Sequence, residues 1–261
     1  MKLSVCLATF NEEPNIHYSL GSVVEFGDEI IVVDGGSTDE TVARAKEFGK
    51  TVRVIETINP PMFHINKQKA IEEAKGEWIL QLDADEEVTP KLRAEIMSIV
   101  NSENQSIPVG YWVPRLNLFL NRFLTKGGVY PDYTIRLYKN GVAHFPCKSV
   151  HENVEIKGEV GTLKADLLHF ADPDFARYLT RWIRYSKLEA MQLVEKGEQL
   201  SAFNYLVWKP KLWFLNTYFR HRGYADGFPG FVFHLFSALR FIVIYVFVWQ
   251  ERHKEIQATH S

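Results

Sequence analysis

Short, almost continuously apolar runs alternate with segments of helical patterning through the first hundred residues. The runs are residues 3–10, 29–34, 51–56 and 78–82. Apolar runs of this length are typical of strands covered on both faces, and their alternation with helices indicates a parallel sheet. Asn11 with Pro14, Ser37 with Glu40, and Thr89 supply helix-start signals between and after the runs. We therefore predict an α/β fold built from repeated βα units.

Two carboxylates one residue apart follow the fourth run. Asp83 and Asp85 lie at the carboxyl end of that predicted strand, which is the edge where open α/β sheets bind ligands. Neighbouring carboxylates repel each other unless a cation neutralises them, and Mg²⁺ or Mn²⁺ prefers such oxygen ligands. A divalent metal site is one interpretation. A solvated loop of helix-capping acids is the other, because isolated D-x-D matches are common by chance.

Further polar residues follow the first and second runs at the same predicted edge. They are Thr9, Asn11, Glu12, Asp34, Gly36 and Ser37. A carboxylate beside a glycine turn suits a nucleotide base or ribose, while helix amides face phosphate; a well-capped loop has the same pattern. The sequence has neither G-x-G-x-x-G nor G-x-x-x-x-G-K-[ST]. Nicotinamide dehydrogenases and P-loop kinases are therefore disfavoured.

Composition limits the partners and the compartment. A formal net charge of -2 gives no global attraction to nucleic acid, so we predict no nucleic-acid partner. Cys6 and Cys147 form neither a disulfide framework nor a zinc spacing, which favours a reducing compartment. The apolar run at the N-terminus is followed by residues 11–14 without a cleavage site, so we interpret it as a strand and expect a cytoplasmic protein.

Three segments together resemble the signatures of glycosyltransferase family 2. They are residues 4–13 (SVCLATFNEE), 34–39 (DGGSTD) and 82–86 (LDADE). Residues 150–152 (VHE) and 223–227 (GYADG) further resemble a subgroup of bacterial lipopolysaccharide-core glucosyltransferases. The resemblance implies a GT-A fold in residues 1–171, with a nucleotide-sugar half (1–105) and an acceptor half (106–171), followed by a helical, membrane-associating region (172–261).

The resemblance also implies an activity and its partners. It implies an inverting hexosyltransferase that uses a nucleotide-diphosphate sugar, with UDP-glucose favoured, and Mg²⁺ or Mn²⁺. The acceptor that it implies is a lipid-linked saccharide such as lipopolysaccharide core. The residues implied to hold base and ribose are Thr9, Asn11, Glu12, Asp34, Gly36 and Ser37. Asn66 and Lys67 then lie near the nucleotide, Asp83 reaches ribose or metal, and Asp85 binds the metal.

Three residues beyond position 105 are candidates for the same site. An inverting transfer needs a base for the acceptor hydroxyl, and Glu152 is the candidate; a structural ion pair with Arg136 or Lys148 is the alternative. His169 suits a metal such as Mn²⁺, but a half-buried structural histidine is an equal alternative. Arg136, like Arg115, suits phosphate or acceptor binding, and an ion pair is its alternative.

The region after Asp172-Pro173 has helical patterning in which aromatic residues and cations interleave. The residues concerned are Trp208, Lys209, Lys211, Trp213, Tyr218, Phe219, Arg220 and Arg222. This mixture suits an interface with anionic lipid. Residues 228–249 are long enough to span a membrane, but Pro229-Gly230 is expected to break the start, and His234 and Arg240 interrupt the apolar run. Only residues 241–249 are uninterrupted, which is short of the roughly 20 apolar residues that a span needs. We predict peripheral, in-plane association with the cytoplasmic face of the inner membrane.

Two alternatives from other functional classes stay open. A haloacid-dehalogenase-like phosphatase also has a D-x-D after a strand, although its nucleophile normally follows the first strand and Glu87 replaces the usual Thr or Val. A catalytically silent, membrane-bound sugar-nucleotide binder is the second alternative. The set of Asp83, Asp85 and Glu152 favours an active enzyme over the silent binder.

Overall fold

The computed structural model describes residues 1–60, 62–104, 106–147 and 154–258. The first hundred residues alternate strands and helices: β1 Leu3–Thr9, α1 Ile16–Val23, β2 Glu29–Asp34, α2 Thr41–Glu47, β3 Val52–Glu56, α3 His64–Glu72, β4 Trp78–Leu82, β5 Glu86–Val88 and α4 Pro90–Val100. The α/β prediction is confirmed. The second and fourth apolar runs form strands with the predicted bounds, and α4 begins at Pro90 with the Thr89 hydroxyl accepting the Leu92 N–H.

Short strands and then long helices form the remainder. The strands are β6 Gly110–Phe119, β7 Arg122–Phe123, β8 Asp132–Lys139, β9 Ala143–His144, β10 Glu155–Ile156, β11 Val160–Thr162 and β12 Leu167–Asp172. The helices are α5 Phe175–Glu195, α6 Lys209–Phe214 and α7 Gly227–Ala258. Two π-helical segments, Asn204–Trp208 and Leu215–Arg220, flank α6, and a 3₁₀ turn at Gly223–Asp226 precedes α7.

The central sheet brings the carboxyl ends of its parallel strands to one edge. Its strand order is β3-β2-β1-β4-β8-β6-β12-β5, and β1 to β4 are mutually parallel. The register pairs Thr9 with Asp34 and Leu7 with Leu82, so the polar residues that follow β1, β2 and β4 leave the sheet at the same level. The buried strands and the helices that cover them form the main core, and the sheet therefore positions a site at this edge.

The local predictions for a hairpin and for the start of α2 were wrong, and one strand was not predicted. Asn140-Gly141 is a strong sequence signal for a two-residue hairpin turn and predicts that the strands at residues 134–138 and 142–145 pair with each other. In the structure β8 pairs with β4 and β6, whereas β9 pairs with β10. The Asn140 amide instead binds the carbonyls of Ala74 and Gly76, so the turn ties down the entry to β4. Ser37 does not cap α2, because its hydroxyl donates to Asp34 and the helix begins only at Thr41. Strand β5 was not predicted.

Contacts divide the chain into two compact units. The first contains residues 1–116 and 132–170, and the second contains residues 117–131 and 171–261. The predicted acceptor half, residues 106–171, therefore contributes residues 117–131 to the unit that holds the C-terminal helices. Within that second unit, buried Asp226 accepts the N–H groups of Thr125 and Lys126 at 2.9 and 2.8 Å.

The last helix is continuous where the sequence predicted a break. Pro229 is the third residue of α7, and proline is tolerated in the first helical turn because its missing N–H has no partner there. Among the described residues, one helical stretch, Gly223–His253, is long and apolar enough to cross a membrane by length and composition. Less than a third of its most apolar window is buried within the protein.

The close contact of Gly76 with β1 yields a stability prediction. A Cβ on Gly76 lies 2.6 Å from the backbone nitrogen and hydroxyl of Ser4, so Gly76→Ala forces β1 and β4 apart. We expect Gly76→Ala to lower the free energy of unfolding by about 1–3 kcal/mol.

Thermal unfolding followed by circular dichroism tests this expectation, with Gly21→Ala as the control. Gly21 lies inside α1 with its nearest non-local atom 3.9 Å from the added Cβ, and alanine there stabilises the helix by up to about 1 kcal/mol. Equal melting temperatures for the two variants contradict the packing argument.

Candidate active site

The loop after β2 is organised around the carboxylate of Asp34. Oδ1 accepts the hydroxyls of Thr9 and Ser37 at 3.1 and 2.5 Å, and Oδ2 accepts the N–H groups of Gly36 and Ser37 at 2.9 and 2.8 Å. A carboxylate has about four acceptor positions, so these bonds use its capacity. Asp34 is 1% exposed. The structure therefore places this predicted nucleotide contact beneath the loop, whose shape it determines.

The loop after β1 is tied to the loop after β2. Asn11 donates its N–H to the Ser37 hydroxyl and accepts the Thr38 N–H at its side-chain oxygen, both at 2.8 Å. Glu12 accepts a hydrogen bond from the side chain of Asn15 at 2.6 Å. Gly36 has a φ of +80°, which glycine adopts without strain. The predicted base and ribose residues thus form one hydrogen-bonded rim.

Helix α3 brings Asn66 and Lys67 to this edge. Both residues are largely buried, and the Asn66 amide donates to the carbonyl of Ile58 at 3.1 Å. Lys67 forms an ion pair with Asp83. Its ammonium group also lies 5.0 Å from the ring centroid of Phe63. The helix therefore connects the loop after β3 with the acidic turn after β4.

A buried ion network holds the acidic turn. Arg136, on β8, contacts Asp83 at 2.6 Å and Glu86 at 2.7 Å through one guanidinium nitrogen, and it binds Gln81 through the other. Arg115, on β6, reaches Glu86 at 3.4 Å and Asp132 at 2.7 Å. Arg136 was a predicted phosphate or acceptor contact. In the structure Arg136 instead forms ion pairs with protein carboxylates, as in the ion-pair alternative.

Glu86 is the functional candidate that the sequence reasoning missed. Its side chain is 0% exposed, and its Oε2 accepts the N–H of Asp83 at 3.0 Å. A buried carboxylate is costly unless it is paired, and the two arginines supply that pairing. The D-x-D-E pattern contained Glu86, but nothing local indicated its burial, because its partners are on β6 and β8. Glu86 braces the turn that carries Asp83 and Asp85.

The network also determines the protonation of Asp83. Burial alone raises the pKa of the Asp83 carboxyl, but Arg136 and Lys67 outweigh it and hold the pKa well below its usual range. For Arg136, burial lowers the guanidinium pKa, but Asp83 and Glu86 outweigh it and raise the pKa above its ordinary value. Asp83 is therefore ionised at neutral pH, and its negative charge is neutralised by protein cations.

Asp85 and His169 meet because β5 pairs with β12. The antiparallel register places His169 opposite Glu86, and Phe170 donates its N–H to the Asp85 carbonyl at 2.8 Å. His169 Nε2 lies 3.5 Å from Asp85 Oδ2. The described residues include no group of three or more His, Cys, Asp or Glu side chains able to hold a metal. Of the three predicted metal ligands, Asp85 and His169 therefore lie together as a pair. The third, Asp83, is nearby but is paired with Lys67 and Arg136. The predicted base, Glu152, lies outside the described residues.

The Arg136 ion pairs yield a stability prediction with a defined pH dependence. Arg136→Gln leaves Asp83 and Glu86 without their shared buried cation, so we expect the free energy of unfolding at pH 7 to fall by about 3 kcal/mol. A depressed folded-state pKa stabilises the fold above the unfolded pKa, and that stabilisation is lost as the pH falls through the folded value. The deficit of the variant therefore shrinks below about pH 4.

Urea unfolding of both proteins at neutral and acid pH measures this deficit. Arg93→Gln is the matched control, because Arg93 pairs with Glu25 at 2.8 Å with both side chains exposed. We expect a change below about 1 kcal/mol for that pair. A deficit for Arg136→Gln that is no larger than the control, or that is independent of pH, contradicts the assignment.

Comparison with known proteins identifies the family. The model of Glycosyl transferase family 2 matches residues 4–149. An uncharacterised glycosyltransferase of Rickettsia felis is 30% identical over 255 residues, covering 92% of this chain and 87% of the relative. LpsC, a lipopolysaccharide core biosynthesis glycosyltransferase of Rhizobium meliloti, is 29% identical over 236 residues, covering 89% of this chain and 86% of LpsC.

Solved structures agree on the fold. The mannosyltransferase PcManGT of Pyrobaculum calidifontis, in complex with GDP-Man and Mn²⁺, has a TM-score of 0.58 at 13% identity, covering 96% of this chain and 87% of that one. Residues 1–349 of S. aureus TarS, in complex with UDP-GlcNAc, have a TM-score of 0.51 at 16% identity, covering 92% and 81%. The predicted GT-A fold is confirmed, and the chain belongs to glycosyltransferase family 2.

Proposed function

We propose that this glycosyltransferase moves a hexose from a nucleotide-diphosphate sugar to a lipid-linked saccharide with inversion at the anomeric carbon. The observation that carries the proposal is the convergence, within one compact unit, of the rim built on Asp34 and the acidic turn of Asp83 and Asp85. A rim of backbone and side-chain donors suits a nucleoside, and a turn with cations and a carboxylate suits a diphosphate. The two sites share one sheet edge, as a single donor molecule requires.

The choice of donor and acceptor rests on relatives. PcManGT was solved with GDP-Man and TarS with UDP-GlcNAc, so the solved proteins of this fold differ in base and sugar. UDP-glucose is favoured by the likeness of the 150–152 and 223–227 segments to lipopolysaccharide-core glucosyltransferases. The curated relative LpsC is named for lipopolysaccharide core biosynthesis, which supports that core as the acceptor.

The side chains at the acidic turn suit Mg²⁺ or Mn²⁺ as metal ligands. Asp85 and His169 present a carboxylate and an imidazole 3.5 Å apart, and these are ligand types that Mn²⁺ accepts. Two protein ligands suit a cation whose shell is completed by phosphate oxygens and water. Asp83 is the weaker metal candidate, because Lys67 and Arg136 already neutralise it. Such a cation supplies positive charge that stabilises the departing diphosphate.

The protein's own cations have a separate part in donor binding. Lys67 reaches Asp83 from α3, and its ammonium group has three N–H donors, so it is able to share its charge with an incoming phosphate. Arg136 is held by three partners and stays with the turn. We therefore assign Lys67 to phosphate contact and Arg136 to positioning Asp83 and Asp85.

The proton balance of the transfer requires a base on the acceptor side. The acceptor hydroxyl oxygen forms a bond to the anomeric carbon as the bond from that carbon to the diphosphate oxygen breaks. The hydroxyl proton passes to the carboxylate of Glu152, and nucleoside diphosphate leaves. Within the V-H-E segment Glu152 is the acid suited to this role, and its assignment rests on the family resemblance and the chemistry.

A lipid-linked acceptor requires the enzyme to work at a membrane. The apolar helix in the last 40 residues and the cations beside it support attachment to an anionic membrane surface, which we assign to the cytoplasmic face of the inner membrane. The cytoplasm is where nucleotide sugars and a reduced Cys6 and Cys147 are both expected.

Turnover of nucleotide sugars with and without EDTA is the decisive assay. We expect release of nucleoside diphosphate from UDP-glucose with Mn²⁺ or Mg²⁺, and none after EDTA. Release of inorganic phosphate from sugar phosphates indicates a phosphatase instead. Binding of UDP-glucose without turnover, even when a lipopolysaccharide-core acceptor is present, indicates a silent binder and overturns the proposal.

Substitution of Asp85 tests the metal assignment. Asp85→Ala removes the carboxylate ligand from a turn that Glu86 and Arg136 still brace, so we expect turnover to be lost while the melting temperature is kept. Glu47→Ala is the control, because it removes an exposed carboxylate of α2 that pairs with the exposed Arg44, so turnover and melting temperature should both be kept. Transfer by Asp85→Ala at the wild-type rate contradicts the assignment.

Substitution of Glu152 tests the base. Glu152→Gln keeps the shape of the side chain but cannot accept a proton, so we expect turnover to fall by about 10² to 10⁴ with donor affinity unchanged. Equilibrium binding of UDP-glucose and single-turnover rates separate the two effects. An equal loss of donor binding assigns Glu152 to the donor site instead.

A further inference from the structure

The second compact unit presents an apolar helical surface to solvent. The helical stretch from Phe203 to Phe219, formed by α6 and its flanking π-helical segments, exposes large hydrophobic side chains along its length. The six most exposed of them are Phe203, Val207, Trp208, Leu212, Leu215 and Phe219. Soluble monomers rarely expose so many large apolar groups together, and such a patch marks an interaction site. We call this stretch the docking helix.

The charge around the docking helix selects the partner. Between Glu198 and Glu251 the sequence contains a single acid, Asp226, which is 1% exposed and bonded to backbone N–H groups. The cations Lys211, Arg220 and Arg222 are exposed in the same region. An apolar face with cations and tryptophans at its border, and with no accessible acid, complements an anionic lipid bilayer.

The contacts between α5 and α7 bear on whether α7 is able to cross that bilayer. Helix α5 runs beside α7 in the same direction. Trp182 donates to the Phe236 carbonyl at 3.1 Å, Glu189 pairs with Arg240 at 3.5 Å, and Arg252 binds the Glu198 carbonyl. These contacts are spread along the apolar part of α7 up to its C-terminal end, so α5 and the residues after it lie beside that part.

The exposed side of α5 has charged residues beside the apolar Ile183, Tyr185 and Met191. Arg184, Lys187 and Glu195 are exposed on it. If α7 spanned the bilayer, these charges would enter the hydrocarbon, at a cost of about 3 kcal/mol for each one near the centre. Separating α5 from α7 would instead break the contacts between them and leave the α5 side of their shared cluster, with Ala190, exposed to water without Ile244 and Val248.

We propose that the docking helix binds the surface of an anionic bilayer with α7 lying in the plane of the membrane, so that the unit is attached to one leaflet and does not span. This inference rests on the proposed function for its purpose, which is access to a lipid-linked acceptor. It deepens that function by assigning the membrane contact to particular side chains and by excluding a spanning topology.

Vesicle co-sedimentation with matched variants tests the surface. Leu212→Glu on the docking helix and Ile183→Glu on α5 replace side chains of similar exposure, 45% and 48%. With vesicles of phosphatidylcholine and phosphatidylglycerol, we expect Leu212→Glu to weaken binding about tenfold and Ile183→Glu to leave it unchanged. Lys211→Gln should weaken binding about fivefold at low salt, and vesicles of phosphatidylcholine alone should bind less of every variant.

Cysteine accessibility tests the topology. Ala225→Cys and Gln250→Cys lie near the two ends of the apolar part of α7, each introduced with Cys147→Ser. The full chain is bound to sealed vesicles, and a membrane-impermeant maleimide is added outside. We expect both cysteines to react before the vesicles are lysed. Protection of one end until lysis means a spanning helix and overturns the proposal, as does equal vesicle binding by Leu212→Glu and wild type.

Turnover of UDP-glucose in solution separates this inference from the proposed function. The Leu212→Glu variant should match wild type in that assay, because the docking helix is remote in sequence from the acidic turn. A wild-type chain that binds vesicles as described but turns over no nucleotide sugar refutes the proposed function and leaves the docking surface intact. A chain that turns over UDP-glucose but does not bind vesicles refutes the docking surface and leaves the proposed function intact.

Discussion

The pairing of Arg136 with Asp83 and Glu86 is the interaction on which the acidic turn depends. Three acids within four residues of sequence, at positions 83, 85 and 86, would repel one another in a partly buried turn. Arg136 joins Asp83 and Glu86, and Arg115 adds a second cation at Glu86. The three acids therefore have different roles. Glu86 and Asp83 belong to the brace, and Asp85 is carried by it toward His169.

The rim built on Asp34 is also organised by one buried carboxylate. Asp34 uses its carboxylate to join Thr9 on β1 with Gly36 and Ser37 in the following loop, and Ser37 in turn joins Asn11. Two family signatures that are 25 residues apart in sequence thus become one surface. An acid that is buried and fully hydrogen-bonded acts on a ligand through the loop that it shapes. This distinguishes Asp34 from Asp85 although both stand at strand ends.

The parts of the fold that depend on local pattern were predictable from sequence. Strands β2 and β4 are apolar on both faces, so their runs alone gave the observed bounds, and Thr89-Pro90 marked the start of α4 correctly. Strand β5 escaped prediction because its residues, Glu86 to Val88, have no apolar pattern and are placed by pairing with β12. The Asn140-Gly141 turn was visible, but strand pairing across it is decided by the rest of the sheet.

The candidate site also has parts that the sequence predicted and parts that it did not. Asp83 and Asp85 were visible as a motif, and the family resemblance supplied their candidate roles. The burial of Glu86 and the partners of Arg136 were not visible, because they depend on side chains that meet from β4, β5, β6 and β8. The break expected at Pro229 was wrong for a local reason, since the proline falls in the first turn of α7.

We propose that the protein supplies only part of a metal site and that the donor's diphosphate completes it. Electron paramagnetic resonance of Mn²⁺ in solution measures this directly, because the signal of the free aquated ion falls when the ion binds. We expect weak binding of Mn²⁺ by the full chain alone, strong binding when UDP is added, and loss of that gain in Asp85→Ala with UDP present. Undiminished UDP-dependent binding of Mn²⁺ by Asp85→Ala would contradict this proposal.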